Sequence, residues 1–344
     1  MNKVLKTILI FLGIVAIVGL GIGGIAYYYL FSPQFHPEQQ AYIFIDRDDT
    51  IDSIYNKVKT AGKPNRFEGF CWLSKQKDYA SRIRTGRYPI RPGDDVYHLY
   101  QRLAGGFQTP VNLTIGSVRT FDRLARNVGN QLMIDSTEIA HKLNDPIFIG
   151  SLGYDKESFY CFFIPNTYEV YWNMSVDDFF ARIKKEHARF WNEERLAKAK
   201  EIGLTPQQVC TLASIVDEET NNNAEKPTVA GLYMNRLHTG MPLQADPTVK
   251  FALQNFELRR ITNVHLEVES PYNTYKNTGL PPGPIRIPSL KAIDSVLNYS
   301  KHRYLYMCAK EDFSGTHNFA TTLAEHMVNA RKYWKALNDR KIYQ

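Results

Sequence analysis

The longest hydrophobic stretch stands at the front of the chain: from residue 7 to residue 31 no position is charged. That run exceeds the roughly 20 residues a helix needs to cross a bilayer core at 1.5 Å per residue. Lys3 and Lys6 precede it, and Tyr27, Tyr28 and Tyr29 stand at its far end. Cations before the span and amphipathic rings at its other interface put the amino terminus in the cytoplasm and the rest of the chain outside. Gly24 and Ala26 imitate a signal-peptide cleavage site. A signal's apolar core, however, holds only about 7–15 residues, so the span reads as a retained anchor. Residues 32–40, with Pro33 and Pro37, read as a short extended tether.

Beyond the anchor, a short extended run, a polar turn and apolar residues at helical spacing recur three times. The copies run from 42–45 to Ile51, Ile54, Tyr55 and Val58; from 87–90 to Val96, Leu99, Tyr100 and Leu103; and from 111–115 to Phe121, Leu124, Ala125 and Val128. Each set falls at i, i+3, i+4 and i+7, one face of a helix laid on its own strand. Such units stack into a βααβ module. The Arg91-Pro92-Gly93-Asp94 turn and its following helix resemble the LysM glycan-binding modules, with a plain spacer as the alternative. Asp135 with Glu138, Ser175 with Asp178, Thr205 with Gln208 and Thr322 with Glu325 predict helix starts. Residues 159–171, dense in aromatics, read as a buried strand and turn, and 304–309 as a strand.

A chain of 344 residues calls for about two soluble units besides the span. The expected division is an anchor at 1–31, a tether at 32–40, a LysM-like or spacer α+β domain at 41–132, a connecting segment with a long helix at 133–204, and a C-terminal α+β domain at 205–344. Apolar residues at 44% and charged residues at 22% exclude wholesale disorder and a polytopic membrane protein. The excess of 42 Lys and Arg over 35 Asp and Glu is mild, and without a basic stripe interleaved with aromatics it argues against nucleic acid. Four cysteines (Cys71, Cys161, Cys210, Cys308) allow three pairings but form no CxxC. Cys210 and Cys308 lie in apolar stretches and read as buried small hydrophobes. No metal-ligand spacing occurs among the nine histidines, so no metal and no cofactor is expected.

The helix starting at Thr205 carries three consecutive acids, Asp217, Glu218 and Glu219. On a wheel stepped at about 100° per residue, Glu219 falls between Leu212 and Ile215 on the apolar face. Glu218 points away, and Asp217 with Glu218 is assigned to the solvated face. An inward carboxyl resists ionisation, which is the state a general acid needs. The competing reading is an ion pair between Glu219 and Arg236.

The helix motif 212–220, the blocks Val229-Ala230-Gly231, Asn235-Arg236-Leu237, 240–248, Tyr272-Asn273-Thr274-Tyr275 and 279–285 occur in this order. Together they resemble the MltG (YceG-like) endolytic murein transglycosylase family. The resemblance implies cleavage of peptidoglycan glycan strands between N-acetylmuramic acid and N-acetylglucosamine, leaving 1,6-anhydro ends, in a single-pass protein working beside peptidoglycan synthases. It places the catalytic acid at Glu219. Asp217 departs from the family's usual glutamate, and Asn166 stands where an aspartate is common. The expected substrate-binding set is Gln244, Asp246, Thr248, Tyr272, Asn273, Thr274, Tyr275 and His317: amides, hydroxyls and flat rings suited to acetamido sugars. Residues 279–288, with four prolines, read as a groove wall. His317 is open between orienting Glu219, binding sugar and a structural role. Asp246 is the rival carboxylate. At about 5 Å from Glu219 it would suit a nucleophile, and at about 6.5–9.5 Å a base for water, making a muramidase instead. The remaining alternative is a membrane-tethered wall-binding protein without catalysis.

Overall fold

The computed structural model describes residues 3–258 and 260–340. They form two compact units: one from residues up to 113 with 131–133 and 169–174, the other from 114–130, 134–168 and the described residues from 175 to 340. Both mix helices with small sheets, an α+β architecture.

The first unit opens with α1 (Lys3–Phe31), free of charge after Lys6, exposed over most of its length, and long enough to cross a membrane. Next come β1 (Ala41–Ile45), α2 (Ile51–Gly62), α3 (Glu68–Gln76), β2 (Gly86–Ile90) and α4 (Val96–Gly105). β1 and β2 pair antiparallel, Ala41 opposite Ile90 and Ile45 opposite Gly86. The helix starts follow from side-chain caps: Thr50 accepts from the Ser53 N–H and Asp95 from the His98 N–H. Of the predicted helix faces, Ile54, Val58, Val96, Leu99, Tyr100 and Leu103 are in the core, joined by Ile43 and Ile45 of β1, while Ile51 and Tyr55 are partly buried against it.

The stretch before β1 is extended but docked. Phe35 is fully buried in the same core, and the N–H groups of Gln34 and Phe35 donate to the Asp94 carbonyl at 3.0 and 3.1 Å. One large apolar ring is reason enough for a tether to fold back. The last turn of α1 joins in: Leu30 packs on the core, and the Phe31 ring lies 5.1 Å from Tyr97. Gly69 of α3 makes room for it, since a Cβ there would sit 2.5 Å from the Tyr29 carbonyl oxygen.

The chain continues through β3 (Val111–Ile115), α5 (Phe121–Gly129), α6 (Ser136–Asn144), α7 (Pro146–Ser151), β4 (Asn166–Val170) and α8 (Val176–Phe190), with β3 paired to β4. This succession repeats that of β1 to α4 with one helix more, the short α7. Residues 79–100 and 159–180 carry the same 3-10 turn, strand, turn and helix, position for position. Tyr88 and Tyr168 match, each donating its hydroxyl to the carbonyl four residues back, Arg84 and Ile164. The caps Thr50 and Thr120, and Asp95 and Ser175, match likewise. The three strand-turn-helix copies are thus parts of two larger repeats, and the partner of the second copy begins at Asn166. Residues 159–162 form the 3-10 turn, so the strand expected across 159–171 is confined to its second half.

The second unit adds α9 (Glu193–Glu201), α10 (Pro206–Glu219), α11 (Lys226–His238), α12 (Asp246–Ala252), α13 (Asn263–Leu266), α14 (Leu290–Leu297), the antiparallel pair β5 (Tyr306–Ala309) and β6 (His317–Ala320), and α15 (Leu323–Asp339). The capping boxes at Ser175, Thr205 and Thr322 form as the sequence predicts, with Pro206 in the first turn of α10. Every residue of α10 from Val209 to Asp217 is buried, which makes it the axis of this unit, covered on all sides. The proline-rich stretch 279–288 is one of the covers rather than an open wall. Gly283 lies where a Cβ would come within 2.1 Å of the Glu157 carbonyl oxygen, and the Ile285 N–H donates to the buried Ser214 hydroxyl at 3.0 Å. All four cysteines are free thiols. Cys161 and Cys210 are buried, Cys71 and Cys308 half-buried.

Candidate active site

Glu219 is the last residue of α10, half-buried and opening into a cavity of about 220 Å³. Tyr233 of α11 donates its hydroxyl to Glu219 Oε1 at 2.8 Å. Burial pushes the Glu219 carboxyl up to about 7; the Tyr233 bond and the Arg236 charge oppose the shift, and the charges of Asp246 and Glu218 reinforce it. Arg236 is not its ion-pair partner. The guanidinium donates to the Leu305 carbonyl at 2.7 Å and the Leu243 carbonyl at 2.6 Å, pinning the segments that lead into β5 and α12.

The two neighbouring acids are not solvated, contrary to the wheel. Asp217 is 7% exposed, paired with the equally enclosed Lys226, and accepts from the Ser289 N–H at 2.6 Å and the Ser289 hydroxyl at 2.8 Å. Glu218 accepts from Arg119 Nε and Nη2 and from Arg286 Nη1, all at 2.7 Å. A helical wheel sees one helix alone. Here the start of α14 and the loop before it close over the face the wheel assigned to water.

Of the expected binding residues, Gln244, Asp246, Tyr275 and His317 line the Glu219 cavity. Gln244 holds a left-handed backbone (φ 49°), a strained state for a residue with a Cβ. Its N–H donates to the Thr274 carbonyl at 3.0 Å. Asp246 accepts the Tyr275 hydroxyl at 2.6 Å. His317 places Nδ1 2.9 Å from Glu225 Oε2, and its N–H donates to Glu225 Oε1 at 2.8 Å. Glu225 also accepts the Thr220 hydroxyl at 3.0 Å, so β6 is tied to the end of α10.

Thr248, Asn273 and Thr274 do not line that cavity. Thr248 and Thr274 are buried and share a hydroxyl contact of 2.8 Å, while Asn273 donates to the Leu266 and Val268 carbonyls at 2.8 and 2.9 Å. They hold the 244–248 and 266–275 segments in place. Tyr272 faces a different cavity, its ring 4.7 Å from Phe251. Tyr233 and Glu225 escaped the sequence reading, because neither the 229–237 block nor the acid five residues beyond Thr220 discloses a partner across the fold. Among the described residues no group of His, Cys, Asp and Glu is arranged to hold a metal ion.

The arrangement suits proton transfer in both directions. A carboxyl balanced near neutrality can donate, and the tyrosine donor steadies it once ionised. A curated relative from Bacillus subtilis (strain 168), named endolytic murein transglycosylase, is 29% identical over 324 residues, 87% of this chain and 86% of the relative. One of the same name from Streptococcus pneumoniae is 27% identical over 84% of this chain and 57% of its own length. A solved structure of a YceG-like protein from Listeria monocytogenes matches with a TM-score of 0.58 at 25% identity, over 85% of this chain and 99% of that one. The YceG-like family model matches residues 43–332, and the chain belongs to that family.

Proposed function

We propose that this chain is a membrane-anchored endolytic lytic transglycosylase of peptidoglycan. It cleaves the N-acetylmuramic acid to N-acetylglucosamine bond within glycan strands and leaves 1,6-anhydro ends. The observation that carries the reading is the Glu219 carboxyl, held near pH 7 at the mouth of a polar cavity; the names of the relatives supply the substrate. Glu219 gives its proton to the bridging oxygen as the C1–O bond breaks and positive charge builds on the sugar. The 6-hydroxyl of the same sugar closes on C1, and the Glu219 carboxylate takes back its proton. The nucleophile is tethered to its target, so water is not consumed and one carboxyl serves both steps. Gln244, Asp246, Tyr275 and His317 position the sugar.

Further parts of the reading are that the amino terminus is cytoplasmic and the enzyme faces the wall, that the two repeats of strands and helices are LysM-like and hold glycan, and that the enzyme works beside peptidoglycan synthases. Digestion of strands in heavy-oxygen water tests the chemistry. The products are expected to carry anhydro ends without label, and Glu219→Gln to lose at least about a hundredfold in rate with an unchanged melting temperature. Label at the new ends would mean a muramidase, with Asp246 directing water. Binding without cleavage by wild type and Glu219→Gln alike would mean a wall-binding protein.

A further inference from the structure

The second unit contains another cavity, of about 460 Å³, which the catalytic chemistry leaves unused. Its apolar lining is aromatic: Tyr272, half-buried, stands against Phe251, and Tyr160 stacks on Phe121 with ring centroids 4.1 Å apart. Its rim is polar and of mixed charge, with Lys156 and Glu157 exposed on it. Flat rings below and short-range donors and acceptors above suit a neutral, hydroxyl-rich ring better than a simple ion or a lipid chain.

Three covalent or bonded paths join this cavity to the one at Glu219. The helix α12 puts Asp246 in the catalytic cavity and Phe251 in the second, five residues or about 7.5 Å apart along its axis. The turn 272–275 puts Tyr275 in one and Tyr272 in the other. The Tyr160 hydroxyl donates to the Arg119 carbonyl at 3.2 Å, and Arg119 clasps Glu218, next to the catalytic acid. The two cavities thus share one helix and one turn. We infer that the Tyr272 cavity is a remote glycan subsite, holding an acetamido sugar of the strand whose bond lies at Glu219. This rests on the proposed activity and deepens it. An enzyme that cuts inside strands needs grip away from the cut, and this cavity supplies it through elements shared with the acid's own cavity.

Binding of purified uncrosslinked glycan strands of eight sugars and of four sugars to the full-length Glu219→Gln protein in detergent tests this. The eight-sugar strand is expected to bind more tightly, and Tyr272→Ala to erase that advantage by about tenfold, the scale of one aromatic anchor. Lys156→Ala, an exposed change that leaves the fold alone, is expected to reduce the same advantage. If both variants keep the full preference for the longer strand, the subsite is overturned. The activity has its own readout: anhydro ends from the wild-type enzyme stand or fall without reference to Tyr272 or Lys156.

Discussion

The Glu219 carboxyl is set by opposed neighbours, and each can be removed singly. A general acid must be protonated in the free enzyme, so kcat/KM falls as pH rises past about 7, where Glu219 ionises. The Tyr233 hydroxyl stabilises the ionised form. Tyr233→Phe therefore raises the Glu219 pKa further, and the alkaline limb of the pH–rate profile moves to higher pH. Asp246 disfavours the ionised form by like charge, so Asp246→Asn moves the limb the other way. Opposite displacements in the two profiles are the expected result. Loss of activity in Asp246→Asn at every pH would instead make Asp246 a participant in the bond chemistry. The inward direction of Glu219 was legible in the sequence, because it depends only on the period of its own helix. Its hydrogen-bond partner was not, because Tyr233 reaches it from another helix fourteen residues on.

At the scale of the element, α10 departs from what its pattern announces. Its apolar stripe is real, yet its far face is buried too, through ions rather than carbon. Asp217 and Lys226 are both nearly solvent-free, and the Ser289 N–H and hydroxyl complete the carboxylate's shell, fixing the start of α14. Removing one partner of a buried pair leaves the other charged and unpaired, at a cost of about 3–5 kcal/mol. Asp217→Ala is thus expected to lower the melting temperature of the full-length protein by roughly 10 °C, and the apolar double change Asp217→Leu with Lys226→Met to recover much of it. If the double variant melts no higher than the single one, the ion pair is not what Asp217 is for. Sequence reasoning could not find this pair because a polar face looks the same whether water or another chain segment covers it. Caps are the opposite case: Thr205 with Gln208, and Ser175 with Asp178, are local and were legible to the residue.

For the whole molecule, the same division between local and distant explains why three short copies were visible and two long repeats were not. A strand, its turn and its helix share about twenty residues of pattern, whereas β1 meets β2 only after two intervening helices, and β3 meets β4 only after three. Phe35 was unread for that reason as well, since its core is made by residues up to Leu103. The anchor was read by composition alone, but the way it ends carries a consequence for any soluble form of the protein. Leu30 and Phe31 belong to the first unit's packing, and the carbonyl of Tyr29 rests where Gly69 leaves space. A chain beginning at residue 25 is expected to leave the membrane fraction and keep its melting temperature. One beginning at residue 34 also leaves the membrane but loses the packing of the partly buried Leu30 and of Phe31, and is expected to melt lower. Equal melting of the two would show that the end of α1 is only a leash; a gap between them makes the last turn of the membrane helix a part of the folded unit it carries.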